Sequence, residues 1–526
     1  MPTLNWIGKD KVINHHQEVP FRVLEHKYGY SDGIETTEET NSGNLIIHGD
    51  NLEALKSLLP KYQGKVNCIY IDPPYNTGNE KWVYNDNVND VKIKKWLGKI
   101  VGQQGEDLSR HDKWLCMMYP RLVLLHKLLA SNGIIFISID DNEFVNLKLL
   151  CDEIFGANQN IGNLIWKKKQ GGGNDSNNIV VEHEYILVYA KDISNAKLGL
   201  DKNYQLDNKL YPFKDEKGEY GLVTLDKASI QFSQSLVYEI VAPDGTVMLP
   251  RIVKGKQSCW RWSKDKVTRQ YDDLVFKNGK VYTKYYKPSG VTQRSLLVDS
   301  VYGRTESGND DIKDVFGTKP FDYPKPVALI KHLIEISTSC DSIILDSFAG
   351  SGTTAHAVLN INKKDGGNRK FILIEMENYA DIITAERAKR VINGYGEGKK
   401  KVNGTGGTFD YYELGDRLFL EDGNINEDIS ENKIREYIFF SETNNATIAK
   451  RTDDNKYFLG EVFNTSYYFY YEKDKKTTLT HDTLRQIVKK KAEQYVIYAD
   501  TCTLTEDEMN SLSVVYKKIP RDIKRF

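Results

Sequence analysis

The chain has 526 residues, enough for roughly two to four domains with cores of their own. It is 40% apolar and 28% charged, and its net charge of −1 excludes a general polycation, so any nucleic-acid surface must be local. No apolar run approaches the roughly 18 residues that span a bilayer, and the first residues lack a signal-peptide pattern. The scattered cysteines form no C-x-x-C pair, which favours reduced thiols, and we expect an intracellular protein.

After a polar N-terminal segment, 1–40, apolar runs of strand length alternate with helical spacing. In the first half of this pattern, 41–194, the predicted strands are 45–50, 66–71, 133–140 and 184–190, and the predicted helices are 51–59, 114–129 and 143–155. The run at 133–140 is almost continuously apolar, as buried parallel strands require. This alternation predicts an α/β fold: a mostly parallel, three-layer, Rossmann-like sheet.

The alternation stops in an insert, 195–315, of short strand-like runs and turns. Within it, residues 251–294 carry twelve Lys or Arg against three Asp or Glu, interleaved with aromatic residues. The α/β pattern returns at 316–415, with a helix at 327–338, a strand at 342–346 and another strand at 369–375. The tail, 416–526, reads as a small α+β domain. We therefore predict one sheet built from two halves, with a domain inserted between them.

The segment 69–76 carries the most chemical information. A short apolar run ends at Asp72-Pro73-Pro74-Tyr75, and two consecutive prolines cannot continue a strand, so the chain must turn there. The turn fixes a carboxylate and an aromatic ring at a strand's carboxyl end, where open α/β sheets bind ligands. This pair suits a planar group with an N–H donor, such as a purine with an exocyclic amine. A rigid loop that only caps the strand is the alternative.

A glycine loop follows the predicted strand 342–346. Asp346, Phe348 and Gly350-x-Gly352 lead into a helix, which is typical of a cofactor-binding turn because glycine permits close backbone approach and the helix start offers free N–H groups. Glu375 ends the next strand, placed to accept from ribose hydroxyls. The third glycine of the dinucleotide fingerprint is missing, and the phosphate-loop pattern is absent. The loop favours S-adenosylmethionine or a nucleotide over a glycine needed only for packing.

Five segments stand in a characteristic order along the chain: Asp72-Pro73-Pro74-Tyr75-Asn76-Thr77-Gly78, Trp114-x-x-Met117-x-x-x-Arg121-Leu122, Gly133–Asp141, Tyr323-Pro324-Lys325-Pro326 and Phe348-x-Gly350-x-Gly352-Thr353-Thr354. Over roughly residues 1–415 the chain resembles the permuted (beta) class of site-specific DNA adenine-N6 methyltransferases, in which the catalytic motif precedes the cofactor motif. In particular it resembles the Mod subunit of type III restriction–modification systems. The resemblance implies methylation of adenine N6 in duplex DNA, with S-adenosylmethionine as the cofactor, by base flipping and direct methyl transfer.

The resemblance also implies residue roles. In the catalytic motif Asp72, Pro73, Pro74 and Tyr75, the Asp72 carboxylate and the Pro73 carbonyl accept from the target amine, and Tyr75 stacks on the base. Phe348 packs on the cofactor's adenine, and Glu375 holds its ribose. The full set of expected cofactor-binding positions is Asp50, Lys325, Asp346, Phe348, Gly350, Gly352, Thr353 and Glu375. Direct transfer needs no metal, and the histidines and cysteines form no zinc-site pattern.

The basic insert is the expected target-recognition domain, because Lys and Arg neutralise phosphates and Arg can also fork onto guanine. Its candidate DNA contacts are Trp260, Arg261, Trp262, Lys264 and Arg269. A second candidate is the basic, glycine-rich segment 167–173, with Lys167 and Lys168. A solvated basic β-module and an ordinary flexible connection are the respective alternatives.

Rival functions remain open on the sequence. The same pocket could methylate RNA adenine, cytosine N4 or a protein glutamine, whereas C5-cytosine methylation is disfavoured because no Pro-Cys dipeptide is present. A nicotinamide oxidoreductase would leave the turn at Asp72 unexplained. A non-catalytic DNA-binding subunit would not require Asp72 and Tyr75.

The resemblance further implies partners. We expect a homodimer, and a separate ATP-dependent restriction (Res) subunit because this chain lacks a Walker-type loop. The tyrosine-rich run 467–471 is a hypothetical docking element for either partner. We expect a cytoplasmic, nucleoid-associated protein.

Overall fold

The computed structural model describes residues 3–77, 110–171 and 178–524, apart from 205, 228, 230, 254, 444–447, 450–451 and 453–454. The chain forms two compact units. The larger unit comprises 1–199 together with 294–526, and the smaller unit comprises 200–293. The predicted insert, 195–315, is longer than the smaller unit at both ends.

Within the described residues, eleven strands of the larger unit form one sheet. In chain order they are β1 (Arg22–Ser31), β2 (Ile34–Thr36), β3 (Leu45–His48), β4 (Val66–Ile71), β5 (Leu129–Ile139), β6 (Asn160–Lys167), β7 (His183–Ala190), β8 (Leu296–Leu297), β9 (Ile343–Asp346), β10 (Lys370–Glu375) and β11 (Thr408–Arg417). Their order across the sheet is β8-β6-β7-β5-β4-β9-β10-β3-β11-β1-β2. The run from β5 to β11 is parallel throughout, whereas β7 and β1 run antiparallel to their neighbours.

Helices cover both faces of the sheet. They are α1 (Asn51–Tyr62), α2 (Arg110–Leu128), α3 (Phe144–Cys151), α4 (Thr305–Phe316), α5 (Val327–Ser337), α6 (Thr353–Asp365) and α7 (Glu386–Asn393). Successive residues of a strand point to opposite faces, so Ile69 and Ile71 of β4 pack with α1 and α2, while Cys68 and Tyr70 pack with α5 and α6. The prediction of a mostly parallel, three-layer α/β sheet is confirmed.

The ends of the predicted insert belong to the larger unit. Ala196 is buried in its core, and on the return Leu297 of β8 and Val315 of α4 are buried in that same core. A two-residue strand and a polar helix carry too little apolar periodicity to be recognised as parts of the sheet domain.

The smaller unit has its own antiparallel sheet of four strands, in the order Leu274–Lys277, Lys280–Tyr286, Gly218–Thr224 and Phe213–Asp215. Its core gathers Leu225, Ile240, Trp260, Val267 and Val281.

The C-terminal segment carries a helix, α8 (Glu431–Thr443), and a four-stranded sheet formed by Phe458–Val462, Thr465–Phe469, Gln494–Ala499 and Val514–Lys518. Phe440 of α8 joins the core beneath α1 and α2. Tyr468, Phe469 and Tyr471 are buried, so much of the tyrosine-rich run packs inside this segment rather than on its surface. No helix in the described parts of the chain is long and apolar enough to cross a membrane.

Candidate active site

The turn after β4 is anchored by a tryptophan from α2. Trp114 is fully buried, and its Nε1 donates to the carbonyl of Pro74 at 2.7 Å. Within the turn, the Tyr75 hydroxyl donates to Asp72 Oδ1 at 2.8 Å. Asn76 follows in the left-handed region, at φ 60°, and its buried amide donates to Glu143. Gly78, the last residue of the predicted motif, lies outside the described residues.

A lysine from a distant part of the chain lies against this turn. The Nζ of Lys325 donates to both carboxylate oxygens of Asp72, at 2.9 and 2.8 Å, and to the Tyr75 hydroxyl at 2.8 Å. It also forms an ion pair with Glu184 Oε2 at 3.2 Å, and its side chain is only 10% exposed. Lys325 was predicted beside the cofactor, and the structure places its ammonium on the Asp72 carboxylate.

Glu184, at the start of β7, is the second carboxylate of this cluster. Its Oε2 lies 3.0 Å from the Tyr75 hydroxyl, and its Oε1 accepts from Lys168 Nζ at 3.2 Å. The Tyr75 hydroxyl has one proton and can donate to only one of the two carboxylates at a time. Asp72, Glu184, Lys325 and Tyr75 therefore form one coupled network.

The two carboxylates have opposite electrostatic surroundings. Burial raises the pKa of Asp72, and Lys325 offsets only part of that rise. Burial also acts to raise the pKa of Glu184, but Lys325 and Lys168 outweigh it and hold this pKa below its ordinary value. For Lys325, burial acts to lower the pKa, yet Asp72 and Glu184 raise it above its usual range. Lys325 is thus charged at neutral pH, and the pKa values of the two carboxylates are shifted in opposite directions.

The glycine loop connects β9 to α6. Asp346 ends β9, and its carboxylate accepts from the Phe348 N–H at 3.1 Å and from the Thr354 hydroxyl at 2.6 Å. Gly350 and Gly352 both have positive φ, 51° and 78°. A Cβ on Gly352 would lie 2.9 Å from the Thr384 carbonyl oxygen, so the loop backbone passes too close for a side chain.

Glu375, at the end of β10, supports this loop from behind. One carboxylate oxygen accepts from the Gly350 N–H at 2.7 Å and the other from the Glu377 N–H at 3.0 Å. Burial raises the pKa of Glu375 to about 7, and it does the same for Asp346. Glu375 was predicted to hold a ribose, and in this structure its oxygens are bonded to backbone N–H groups.

One cavity of about 420 Å³ unites the two predicted motifs. Among the predicted positions, its lining contains Asp72, Pro73, Tyr75, Lys168, Lys325, Asp346, Phe348, Gly350 and Thr353. Four of the predicted catalytic and cofactor-binding positions are not in the lining: Asp50, Pro74, Gly352 and Glu375. Asp50 instead caps α1 by accepting from the Leu52 and Glu53 N–H groups.

The remaining lining residues were assigned no individual role from the sequence, although Thr77, Asp140, Tyr323, Pro324 and Thr354 lie in the motif segments. These remaining residues are Tyr70, Thr77, Asp140, Lys169, Glu184, Thr305, Phe321, Asp322, Tyr323, Pro324, Ala349, Ser351 and Thr354. Glu184 had a detectable signal, since it is an acid at the start of an apolar strand. Because β7 runs antiparallel to β5, its first residues lie at the carboxyl ends of the parallel strands, where ligands bind.

The predicted DNA contacts occupy different environments. In the smaller unit Arg261, Lys264 and Arg269 are exposed, and Trp262 is half-buried with the Lys266 ammonium 4.5 Å from its ring centre. Trp260 is 1% exposed and its Nε1 donates to the Tyr238 carbonyl, so it serves as a core residue and not as a surface contact.

In the larger unit, Lys167 pairs with Glu182 at 3.4 Å, whereas Lys168 points to Glu184 in the cavity. Gly172 and Gly173 of the predicted basic loop lie outside the described residues. Among the residues that are described, no group of three or more His, Cys, Asp or Glu could hold a metal ion.

Comparison with known proteins supplies the family. The family described as DNA methylase (N6_N4_Mtase) matches residues 66–385, which include both motifs of the cavity. The chain belongs to this DNA methylase family. Among curated relatives of this DNA methylase, the StyLTI Mod subunit of a type III restriction–modification enzyme from Salmonella typhimurium is 35% identical over 429 residues, covering 74% of this chain and 62% of the relative. The predicted resemblance to Mod subunits is confirmed at this level.

A second relative is a type II methyltransferase, M.KpnI of Klebsiella pneumoniae. It is 36% identical over 354 residues, which cover 64% of this DNA methylase and 81% of M.KpnI. Among solved structures, the M1.HpyAVI–SAM complex aligns with 65% of the chain at 16% identity and a TM-score of 0.30. The matched region spans about three fifths of the length of the StyLTI Mod subunit.

Proposed function

We propose that this DNA methylase transfers a methyl group from S-adenosylmethionine to adenine N6 at a specific sequence in duplex DNA. The observation that carries the proposal is the single cavity in which the Asp72 turn faces the glycine loop. The Asp72 turn and the glycine loop line the same chamber, which supports direct transfer between two ligands bound side by side.

The lining suits a cationic cofactor. Among the described residues around the cavity, the carboxylates are Asp72, Asp140, Glu184, Asp322 and Asp346, and the lysines are Lys168, Lys169 and Lys325. This surplus of carboxylates favours a bound cation. The Phe348 ring supplies an apolar surface for a flat base, and the glycine loop lets backbone approach closely. When bound, S-adenosylmethionine would supply an electrophilic methyl group on a positively charged sulfur.

The chain's own residues would activate and hold the amine. The lone pair of an aromatic amine is delocalised into its ring, and two acceptors on its hydrogens draw the nitrogen toward tetrahedral geometry. Asp72 provides one acceptor and the Pro73 carbonyl provides the other. As the N–C bond would form, the sulfur–methyl bond would break and leave a neutral thioether, so that positive charge would pass to the amine nitrogen. The Asp72 carboxylate lies where it can stabilise that charge and take the surplus proton.

Duplex DNA reaches this cavity only if the target base leaves the stack. The Tyr75 ring lines the cavity beside Asp72, where it can stack on a flipped base. Adenine is favoured over cytosine N4 by the resemblance to Mod subunits. Cytosine N4 and RNA adenine are the alternative substrates, and a non-catalytic DNA-binding subunit is the alternative role.

The central test uses labelled methyl groups. The wild-type protein should transfer label from S-adenosylmethionine to duplex DNA, and digestion to nucleosides should place it on N6-methyladenine. Asp72→Ala should abolish transfer while DNA binding survives, because the variant loses an acceptor but no element of the fold. Asp10→Ala is the matched control, since Asp10 is an exposed acid of the same unit. Full transfer by Asp72→Ala would reject the catalytic assignment, and label on cytosine or RNA would select the corresponding alternative.

We also propose that the smaller unit contacts the DNA. Arg261 and Lys264 are exposed within its most basic segment, so replacing both by Ala should weaken binding and reduce the salt dependence of the affinity by about two counterions. Lys202→Ala with Lys209→Ala is the control pair, because both lysines are exposed outside that segment. Unchanged affinity of the first pair at physiological salt would reject this surface.

The Mod resemblance supports a further proposal on assembly. We infer a homodimer that associates with a separate ATP-dependent restriction subunit, in the cytoplasm and at the nucleoid. Because Phe440 of α8 is buried in the larger unit's core, a truncation at 416 would expose that core as well as remove a docking surface. Light scattering of the full chain is therefore the cleaner test of the dimer, and a monomer at micromolar concentration would contradict it.

A further inference from the structure

The Asp72 carboxylate is already occupied by a lysine ammonium. Both of its oxygens accept from Lys325 Nζ, at 2.9 and 2.8 Å, and Oδ1 also accepts from the Tyr75 hydroxyl. An incoming target amine needs at least one of these oxygens as an acceptor. Three of the roughly four acceptor positions of this carboxylate are thus taken, and Lys325, which holds one on each oxygen, competes with the amine for them.

A buried ammonium cannot simply be released. The Lys325 side chain is 10% exposed. If its ammonium left Asp72 and found no other partner, the ammonium charge would be unpaired in a poorly hydrated pocket. Glu184 is the alternative partner, because its Oε2 already lies 3.2 Å from Lys325 Nζ. Its other oxygen is held by Lys168 at 3.2 Å, which fixes the carboxylate in place.

Given the proposed function, we propose that Glu184 is a positioning residue for methyl transfer: it retains the Lys325 ammonium when the target amine replaces that ammonium at Asp72. Lys325 then acts as a movable counter-charge that occupies the acceptor between turnovers. Asp72 accepts the hydrogen bond of the amine and then its proton, and Glu184 remains paired with the Lys325 ammonium.

The surrounding charges support this division. Lys325 and Lys168 together lower the pKa of Glu184 and favour its ionised form, whereas burial raises the pKa of Asp72. A group that must bind a proton and a group that must stay charged are best separated in this way. The other ionisable side chains that line the cavity around this network are Asp140, Lys169, Asp322, Tyr323, Tyr70 and Asp346.

A double-mutant cycle tests the coupling between Glu184 and Lys325. Transfer is measured for the wild type, Glu184→Gln, Lys325→Met and the double variant, at a mildly alkaline pH that keeps Asp72 ionised in each. Glu184→Gln alone should lower kcat/KM for DNA by about tenfold to a hundredfold, because Lys325 then has Asp72 as its one carboxylate partner in the network. In the Lys325→Met background the same change should lower it by less than about threefold, since no ammonium needs to be held.

Two further variants separate this role from a structural one. Glu184→Asp keeps the charge and should recover most of the activity lost in Glu184→Gln. Glu182→Gln is the matched control, because Glu182 pairs with Lys167 at 3.4 Å on the same segment, outside the cavity lining. It should leave kcat/KM unchanged. Melting temperature and S-adenosylmethionine affinity report on folding of all variants.

The outcomes are distinct. Absence of transfer by the wild type would contradict the proposed function itself. With wild-type transfer present, fold-losses that multiply in the double variant would show that Glu184 acts independently of Lys325 and would overturn the inference. A loss in Glu184→Gln that largely disappears in the Lys325→Met background supports it.

Discussion

Gly352→Ala is expected to damage the cofactor loop, and the size of the damage can be worked from the backbone. Gly352 is the residue before α6, with φ 78°, and its added Cβ would meet the Thr384 carbonyl oxygen at 2.9 Å and Thr384 Cγ2 at 3.4 Å. Gly366 ends the same helix with φ 70°, but a Cβ there has nothing within 4 Å. Alanine at either position therefore carries the cost of a left-handed backbone, but only alanine at position 352 also carries a steric cost.

The magnitudes follow from these two contributions. A non-glycine residue in the left-handed region costs about 1–2 kcal/mol, which both substitutions incur. The contact with the Thr384 backbone adds about 1–3 kcal/mol for Gly352→Ala alone, because a carbonyl oxygen in a packed interior moves less easily than a side chain. We expect Gly366→Ala to destabilise the protein by about 1–2 kcal/mol and Gly352→Ala by about 2–5 kcal/mol.

Chemical denaturation and calorimetric titration check both quantities. The denaturation midpoint gives the difference in stability between the two variants, and titration with S-adenosylmethionine gives the cofactor affinity. If the loop relieves the contact by shifting, the loss appears in affinity instead, about tenfold for each 1.4 kcal/mol. Equal midpoints together with equal affinities for Gly352→Ala and Gly366→Ala would refute the steric argument.

Two other predictions follow from single contacts. Trp114→Phe removes the donor to the Pro74 carbonyl and should lower methyl transfer about tenfold or more through displacement of the turn. Its melting temperature should fall only by the equivalent of about 1–3 kcal/mol, and normal kinetics would contradict the anchoring role. Asp346→Asn should flatten the pH dependence of stability. Burial raises the pKa of Asp346 from 3.8 to about 7, so its contribution is complete below pH 3.8 and is lost as the pH rises through about 7. Melting temperatures across this range check the sign, and an unchanged profile would show that Asp346 is ionised throughout.

The parallel core and both motifs were predictable from the sequence, because they depend on local patterns. Strand β4 is an apolar run that ends at two prolines, and the loop before α6 is recognisable by the spacing of its glycines. The order of the strands in the sheet determines which residues come together, and this order cannot be inferred from local sequence spacing. The ion pairs of Lys325 with Asp72 and Glu184 join residues from three separated segments.

Side-chain environment was equally hidden from local patterns. Trp260 stands in a basic, aromatic segment like a surface residue, yet it fills the core of the smaller unit. Asp50 and Glu375 end strands as ligand-binding acids do, and both bind backbone N–H groups here. A carboxylate that caps a helix and a carboxylate that binds a ligand can occupy the same place in the sequence, directly after a strand. Both accept hydrogen bonds there, from unpaired N–H groups or from hydroxyls. Strand β1 lay in the segment read as merely polar, since its burial depends on pairing with β11.

The boundaries of the smaller unit bear on how such a protein can diversify. The chain leaves the larger unit at Gly199, whose N–H donates to the Ile336 carbonyl. It returns at Arg294, and the carbonyl of the next residue, Ser295, accepts from the Ile165 N–H. Main-chain hydrogen bonds hold the two ends in place, and any residue except proline can supply the N–H donors. Recombination that exchanged the stretch 200–293 for an unrelated sequence would leave these bonds in place and would replace no residue of the cavity lining. If the smaller unit sets the target sequence, as proposed, exchanging this one segment would change specificity and leave the cavity unchanged.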